Sequence, residues 1–242
     1  MLLFEQVFIY CCVMARTSGS HALKTGPKVR LAALKLFALY GYAAVSMRQI
    51  AAEVGVQVGA LYNYTPDKQS LLYDLMHTHL TDLLQTWRSK ETDTAPEELV
   101  LQFVTCHLNY HLDKSEAVFI AYMELRNLSE SNFAKIETLR KSYELELESI
   151  ITAGQRACIF SVEDPKITSF AMLGMLKDVG TWFDGEGRLT KDEIIALYRD
   201  LVLRMLVLAR IAELLHILDR IQTCLAIGHM HIEIVLLAGL IH

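Results

Sequence analysis

Side chains suited to binding nucleic acid are concentrated between residues 46 and 68. The candidates for such a surface are Ser46, Arg48, Gln57, Val58, Ala60, Tyr62, Asn63 and Lys68. The amides of Gln57 and Asn63 can each pair with the edge of an adenine, and Val58 can contact a thymine methyl group. Tyr62 and Lys68 carry groups that bind backbone phosphates, contacts that position a protein without reading sequence. Together these residue types predict a surface that binds double-stranded DNA.

Two short helices joined by a glycine turn are predicted to carry these side chains. Ser46 and Gln49 form a capping-box pattern at the start of the first helix. Gly55 is expected to end that helix, since glycine readily adopts the left-handed conformation found at helix C-termini. Leu61 is the predicted buried anchor of the second helix, and Asp67 the predicted cap of a third. Such a helix-turn-helix places one helix in the major groove of DNA.

This segment resembles the DNA-binding domain of the TetR family of repressors. The matching stretches are Val29–Phe37, Tyr40–Tyr42, Ser46–Ala52, Gly55–Val56, Gly59–Tyr62 and Pro66–Lys68. The resemblance implies an all-α fold, a homodimer, an inverted-repeat DNA operator and a phosphate contact by Lys68. It departs from the family pattern at Gln57, where a serine or threonine cap is usual, and at Thr65, where a core phenylalanine is usual.

Charge is unevenly distributed along the 242 residues. The formal net charge is −5, yet residues 15–68 contain seven basic and two acidic side chains. A basic region suits phosphate binding, because neutralised phosphates release counterions; an uneven solvated surface is the alternative. Arg48 either reaches a phosphate or pairs with a surface carboxylate. The five scattered cysteines lack zinc-ligand spacing and are typical of a protein in the reducing cytoplasm.

Beyond the DNA-binding segment the sequence predicts only helices. An apolar stripe from Leu72 to Trp87 marks a long connecting helix. Pro27, Pro66, Pro96 and Pro165 stand near expected helix starts. Further helices are expected at about 97–112, 115–129, 131–156, 165–183 and 191–210. The predicted organisation is a flexible segment 1–26, a helix-turn-helix domain 27–72, a ligand-binding and dimerisation domain 73–210, and an atypical apolar extension 211–242.

Both ends of the sequence are unlike the rest. Residues 1–13 are apolar but make a poor signal peptide, and translation is expected to begin at Met14. Residues 16–28 form either an arm that touches DNA or a tail without a role. The apolar segment 225–241 contains two histidines and a glutamate, which disfavours a transmembrane helix. The extension is either non-native, an extra packed helix, or membrane-associated; no membrane partner is expected.

Two later segments resemble the TetR-family branch that senses acyl-CoA thioesters. They are Val118–Leu128 and Lys177–Trp182. The candidate ligand-binding residues are Phe119, Tyr122, Met123, Arg126 and Trp182. Arg126 would meet a CoA phosphate or a carboxylate, while the others line an apolar cavity. A salt bridge from Arg126 to Glu124 or Glu130, with ordinary core packing of the aromatic residues, is the alternative. An unrelated hydrophobic compound is the other class of effector.

Other classes of function have weaker support. His107 and His111 lie four residues apart, as on one helix face, but a metal site needs a further ligand and no HExxH pattern is present. The sequence has no glycine-rich phosphate loop and no nucleophile elbow, so no enzyme activity and no cofactor is predicted. A helical scaffold without specific DNA binding is the stronger rival. Strongly salt-dependent DNA retention would distinguish a regulator from such a scaffold.

Overall fold

The computed structural model describes residues 18–90 and 93–207, and within these ranges the chain is helical and contains no strand. The helices are α1 Ser18–Tyr40, α2 Met47–Val54, α3 Val58–Leu61, α4 Lys68–Arg88, α5 Pro96–Leu112, α6 Ser115–Met123, α7 Glu130–Arg156, α8 Pro165–Trp182 and α9 over residues 191–207, with a 3₁₀ turn at Leu125–Asn127. The predicted all-α class is confirmed. The predictions for residues 1–17 and 211–242 lie outside the described residues.

The described chain divides into two compact units. The first unit contains the described residues up to Asp82 together with Lys114–Leu139, and the second contains Leu83–Asp113 and the residues from Arg140 onward. Two of the three divisions therefore fall inside α4 and α7, and the third falls between α5 and α6. The first unit thus contains both the helix-turn-helix and α6, which lies well after residue 72 in the sequence.

The first unit is built around α1. This helix packs on α2 and on α6, and its buried face carries Val29, Ala33 and Phe37. These side chains join one apolar cluster with Leu61 of α3 and Leu72 of α4. Burying each large apolar side chain contributes about 1.5–3 kcal/mol. The short helices that carry the predicted DNA contacts are therefore held by a shared core and not by their own helix propensity.

Two helix boundaries differ from the sequence predictions. α1 begins at Ser18, so Pro27 lies inside the helix and not at its start. The proline is exposed, so its ring meets solvent, although it still removes one backbone hydrogen bond. α6 ends at Met123 and does not continue to residue 129. The chain instead forms the 3₁₀ turn Leu125–Asn127, and Ser129 caps the next helix, its hydroxyl accepting a hydrogen bond from the Asn132 amide at 3.4 Å.

The second unit contains a close contact between Gly154, near the end of α7, and the buried ring of Phe160. A β-carbon at position 154 would lie 2.0 Å from Cδ2 and 2.3 Å from Cε2 of that ring. The backbone at residue 154 cannot easily move away from the backbone at residues 159 and 160. The Gly154 carbonyl accepts hydrogen bonds from the amides of Ile159 (2.8 Å) and Phe160 (3.1 Å). Glycine is required here for space.

Replacing Gly154 with alanine is therefore expected to lower the free energy of unfolding by about 1–3 kcal/mol, the usual cost of overpacking a core. Urea unfolding measures the change. Gly180→Ala in α8 is the matched control, because a β-carbon there has no neighbour within 4 Å and alanine is the better helix former. Equal stability of Gly154→Ala and the wild type would contradict the packing described.

Two histidines of α5 stack inside the second unit. His107 and His111 are fully buried, and their ring centroids lie 3.8 Å apart. His111 Nδ1–H donates to the His107 carbonyl at 2.9 Å, and His107 Nδ1 lies 3.0 Å from the Tyr143 hydroxyl. Among the described residues no group of three or more histidine, cysteine, aspartate or glutamate side chains is arranged to hold a metal ion.

Burial makes the fold sensitive to acid. Desolvation lowers the pKa of His111 to about 4, although its hydrogen bond to the His107 carbonyl acts in the opposite direction. The unfolded chain takes up this proton near pH 6.5. Stability is therefore expected to fall as the pH drops from about 6.5 to about 4, by up to about 3 kcal/mol. Urea unfolding at several pH values measures this loss. His111→Gln should reduce it, and an unchanged pH dependence would contradict the assignment.

Candidate nucleic-acid interface

We call the predicted helix-turn-helix domain, residues 27–72, the reading head. The first helix of its helix-turn-helix, α2, is capped at both ends by residues close to it in sequence. The Ser46 hydroxyl accepts the Gln49 amide at 3.3 Å, and Gln49 Oε1 accepts the Ser46 amide at 2.8 Å. Gly55 ends the helix at φ +77°, a left-handed conformation that favours glycine. Ile50 and Ala51 are buried. The predicted capping box and glycine terminus are confirmed.

The second helix of the helix-turn-helix, α3, is a single turn, and tighter turns continue it to Tyr64. Only Val58–Leu61 are α-helical, but the amide of Asn63 donates to the Ala60 carbonyl at 3.3 Å and that of Tyr64 to the Leu61 carbonyl at 2.8 Å. These bonds span three residues, so the coil continues as a tighter 3₁₀-type turn. Leu61 is fully buried and anchors the element, as predicted.

The start of α3 lacks a side-chain cap. Gln57 occupies the N-cap position and makes no side-chain capping hydrogen bond. A serine or threonine there would satisfy one of the first backbone amides. The departure from the family pattern therefore leaves the first turn of α3 without a side-chain cap, and the Ala60 amide donates instead to the Gln57 carbonyl at 2.9 Å.

Five of the eight predicted DNA contacts are exposed and three are partly buried. Ser46, Arg48, Gln57, Tyr62 and Asn63 are exposed, while Val58, Ala60 and Lys68 are partly buried. The Ser46 hydroxyl also donates to Gln49 Oε1 at 2.8 Å, so this residue is already engaged in capping. The amides of Gln57 and Asn63 remain on the surface, at the two ends of one short coil.

The third helix, α4, starts from a compact polar cap. Asp67 Oδ1 accepts the Ser70 amide at 2.6 Å, which confirms the predicted cap. Thr65, at the position where a phenylalanine is usual, is buried, and its hydroxyl donates to the Asp67 carbonyl at 3.0 Å. A buried hydroxyl without a partner would be costly, so this hydrogen bond explains how a threonine is accommodated there.

Lys68, the first residue of α4, lies over an aromatic ring. Its Nζ is 4.2 Å from the centroid of the Tyr42 ring, a distance typical of a cation–π interaction. Desolvation lowers the pKa of Lys68, and the negative charge of Glu124 opposes that effect. Tyr42, Gln69 and Glu124 were not among the predicted site residues, and for Tyr42 the signal was its place in the Tyr40–Tyr42 stretch.

The candidate ligand-binding residues belong to different units. Phe119, Tyr122, Met123 and Arg126 lie in the first unit and Trp182 in the second. Phe119, Met123 and Trp182 are each more than 40% exposed, Arg126 is also exposed, and Tyr122 is partly buried. Among the described residues no helix is long and apolar enough to cross a membrane.

Two protein-family models match the chain. The model for "Bacterial regulatory proteins, tetR family" matches residues 30–75. The model for "Tetracyclin repressor-like, C-terminal domain" matches residues 93–206. The first match covers about the C-terminal half of α1, all of α2 and α3, and the start of α4, and the second covers α5 to α8 and almost all of the described α9.

Relatives with known sequences or structures agree with these matches. A tetR-family regulatory protein from Rhodococcus RHA1 is 31% identical, with a TM-score of 0.72 over 76% of this chain and 97% of that one. The fatty acid metabolism regulator protein of Bacillus subtilis is 27% identical over 58% of this chain and 80% of its own length. AibR, solved with isovaleryl coenzyme A and operator DNA, is 22% identical, with a TM-score of 0.66 over 75% of this chain and 97% of AibR.

Proposed function

Because the chain belongs to the TetR family of transcriptional regulators, we propose that it binds an inverted-repeat operator as a homodimer, represses transcription and is released by a small effector. The observation that carries the proposal is the exposed coil from Gln57 to Asn63, anchored by buried Leu61. Its amides read base edges in the major groove. Tyr62 and Lys68 contact backbone phosphates, and Arg48 reaches a further phosphate.

Selection from a random duplex library tests this reading. The full chain is incubated with the library at moderate salt, and retained duplexes are sequenced over several rounds. The expected result is an inverted repeat whose half-sites are centred about one helical turn apart. Retention without any enriched sequence would instead support a general polyanion binder, and no retention would support the helical scaffold.

The proposed dimer surface lies on α8 and α9 in the second unit. Large apolar side chains are exposed there, namely Ile167, Phe170, Leu197, Leu201 and Met205. Contiguous exposed apolar side chains are unusual on a monomer and mark interaction surfaces. The occupant that we propose is a second copy of the chain, whose α8 and α9 would complete a four-helix bundle, as family membership implies.

The effector that we propose is a small hydrophobic compound, with an acyl-CoA thioester as the specific candidate. Support comes from the similarity to the Bacillus subtilis fatty acid metabolism regulator and from the likeness in fold to AibR, which was solved with isovaleryl coenzyme A. Arg126 would hold a phosphate or carboxylate of this ligand. The apolar part would meet Phe119, Tyr122 and Met123, which lie in the same unit as Arg126.

Calorimetry with a panel of acyl-CoA thioesters of increasing chain length tests the effector. Binding to one member, with release of the selected duplex by that member, is the expected result. Arg126→Gln should weaken binding of the CoA ester more than binding of the free acid, if the arginine meets a CoA phosphate. No heat from any member would remove the acyl-CoA proposal and leave an unrelated hydrophobic compound.

A further inference from the structure

A buried carboxylate links α6 to the reading head. Glu124, which follows α6, is only 7% exposed, although glutamates are rarely buried without partners. Its Oε1 accepts the backbone amide of Tyr42 at 3.1 Å, and its Oε2 accepts Asn127 Nδ2. Tyr42 lies in the turn between α1 and α2. A residue 82 positions away therefore holds the turn that precedes the helix-turn-helix.

A second side chain, that of Gln69 in α4, also joins Tyr42 to the segment that follows α6. Gln69 Nε2 donates to the Tyr42 hydroxyl at 3.2 Å and to the Asn127 carbonyl at 2.8 Å. Its Oε1 accepts the Ser129 amide at 2.9 Å. Gln69 is the neighbour of Lys68 at the start of α4, so the backbone that carries the lysine is tied to the segment that follows α6.

Three contacts therefore hold Tyr42 in position, one at its backbone, one at its hydroxyl and one at the face of its ring. Glu124 holds its backbone amide, Gln69 holds its hydroxyl, and the Lys68 ammonium lies 4.2 Å above its face. A lysine side chain loses much rotamer freedom when it is ordered on a ligand. A fixed aromatic face below the ammonium removes part of that cost in advance, because the side chain is already confined before a phosphate arrives.

We propose that Glu124 is the positioning residue for Lys68, and that the phosphate contact of Lys68 depends on this carboxylate although α6 itself contacts no DNA. The inference rests on the proposed DNA-binding function. Its physical content is that Glu124 acts through Tyr42: the carboxylate fixes the turn, the turn fixes the ring, and the ring confines the ammonium. A negative charge that merely repelled DNA would have the opposite effect on affinity.

A double-mutant cycle tests the proposal. Binding of the selected operator by the full chain is measured by fluorescence anisotropy over a range of salt for the wild type, Glu124→Gln, Lys68→Ala and the double variant. Because a glutamine amide presents one acceptor oxygen where the carboxylate presents two, Glu124→Gln cannot accept both the Tyr42 amide and Asn127 Nδ2. It is therefore expected to weaken binding roughly fivefold and to shift the salt dependence toward that of Lys68→Ala. In the Lys68→Ala background the same substitution should change affinity by less than about twofold.

The contrary outcomes are distinct. Tighter binding by Glu124→Gln would show simple repulsion, and equal losses in both backgrounds would show a structural role only; either overturns the proposal. Asn127→Ala, which leaves the carboxylate in place, is the second variant if Glu124→Gln fails to fold, and it should show the same coupling to Lys68.

A measurement without DNA separates this proposal from the proposed function. Magnetic resonance of the Lys68 side chain in the free protein should show greater mobility of Cε in Glu124→Gln. It should also show a lower ammonium pKa, because the negative charge that raises it is removed. Unchanged mobility would overturn the positioning role even if the operator is bound. Absence of operator binding by the wild type would overturn the proposed function. The mobility of the Lys68 side chain could still be measured and would still test the positioning role of Glu124.

Discussion

Replacing Phe170 with glutamate is expected to leave the protein monomeric and to weaken operator binding by about a hundredfold or more. Phe170 is exposed on α8 within the proposed dimer surface. A carboxylate buried there without a partner would cost several kcal/mol, and each 1.4 kcal/mol is tenfold in affinity. Loss of the dimer also removes the second reading head, and with it the gain from binding two half-sites at once.

The monomer itself should remain folded. Phe170 does not belong to the buried core, and Lys166 Nζ lies 6.0 Å from the centroid of its ring, so the new carboxylate has a cation one helical turn away. Sedimentation velocity measures the association state, and anisotropy measures the affinity for the selected operator on the same samples.

Phe133→Glu provides a matched control for this experiment. Phe133 and Phe170 are each 42% exposed, but Phe133 lies on α7 in the first unit and is not part of α8 or α9, which carry the proposed dimer surface. The control should leave both the association state and the affinity unchanged. A dimeric Phe170→Glu with normal affinity would place the dimer surface elsewhere, and an equal loss in both variants would point to folding.

Replacing Lys68 with alanine is expected to weaken binding to all duplexes alike, by about a hundredfold or more at low salt. A charge-assisted hydrogen bond to phosphate contributes about 1.5–3 kcal/mol, and a dimer loses two of them. Because each neutralised phosphate contributes about 0.9 to the slope of log affinity against log salt, that slope should fall by about 1.8. Anisotropy titrations at several salt concentrations measure both quantities.

Two other variants separate a phosphate contact from other roles. Lys135→Ala is the matched control, because Lys135 Nζ also lies over a tyrosine ring, 5.4 Å from the centroid of Tyr73, but outside the reading head. It should leave the salt slope unchanged. Asn63→Ala should act differently from Lys68→Ala, reducing the preference for the operator over scrambled DNA more than overall affinity. A loss confined to the operator in Lys68→Ala would contradict its assignment to phosphate.

Most of the reading head was predictable because its signals are local. Ser46 and Gln49 are three residues apart and Asp67 and Ser70 likewise, so their capping bonds follow from sequence spacing. Gly55 adopts the conformation that its residue type favours. The burial of Leu61 follows from its place in a short amphipathic coil.

The features that sequence missed depend on residues far apart in the chain. Periodicity suggested that α6 runs to residue 129, but Glu124 turns toward the Tyr42 amide, 82 positions away, and the chain forms a 3₁₀ turn instead. The 3₁₀ continuation of α3 and the inclusion of Pro27 in α1 are two further departures from the boundaries expected from local signals. The role that we propose for Glu124, positioning Lys68 for its phosphate contact, likewise depends on residues that no spacing rule brings together.

The most direct test of the central claim is the affinity of the full chain for the selected operator and for the same operator with five base pairs inserted between its half-sites. The insertion rotates one half-site by about half a turn, so two reading heads on one face of the duplex can no longer reach both. The predicted result is a loss of at least about a hundredfold, with a steep salt dependence for the intact operator. Equal affinity for the two duplexes would contradict the claim that paired reading heads bind successive major grooves.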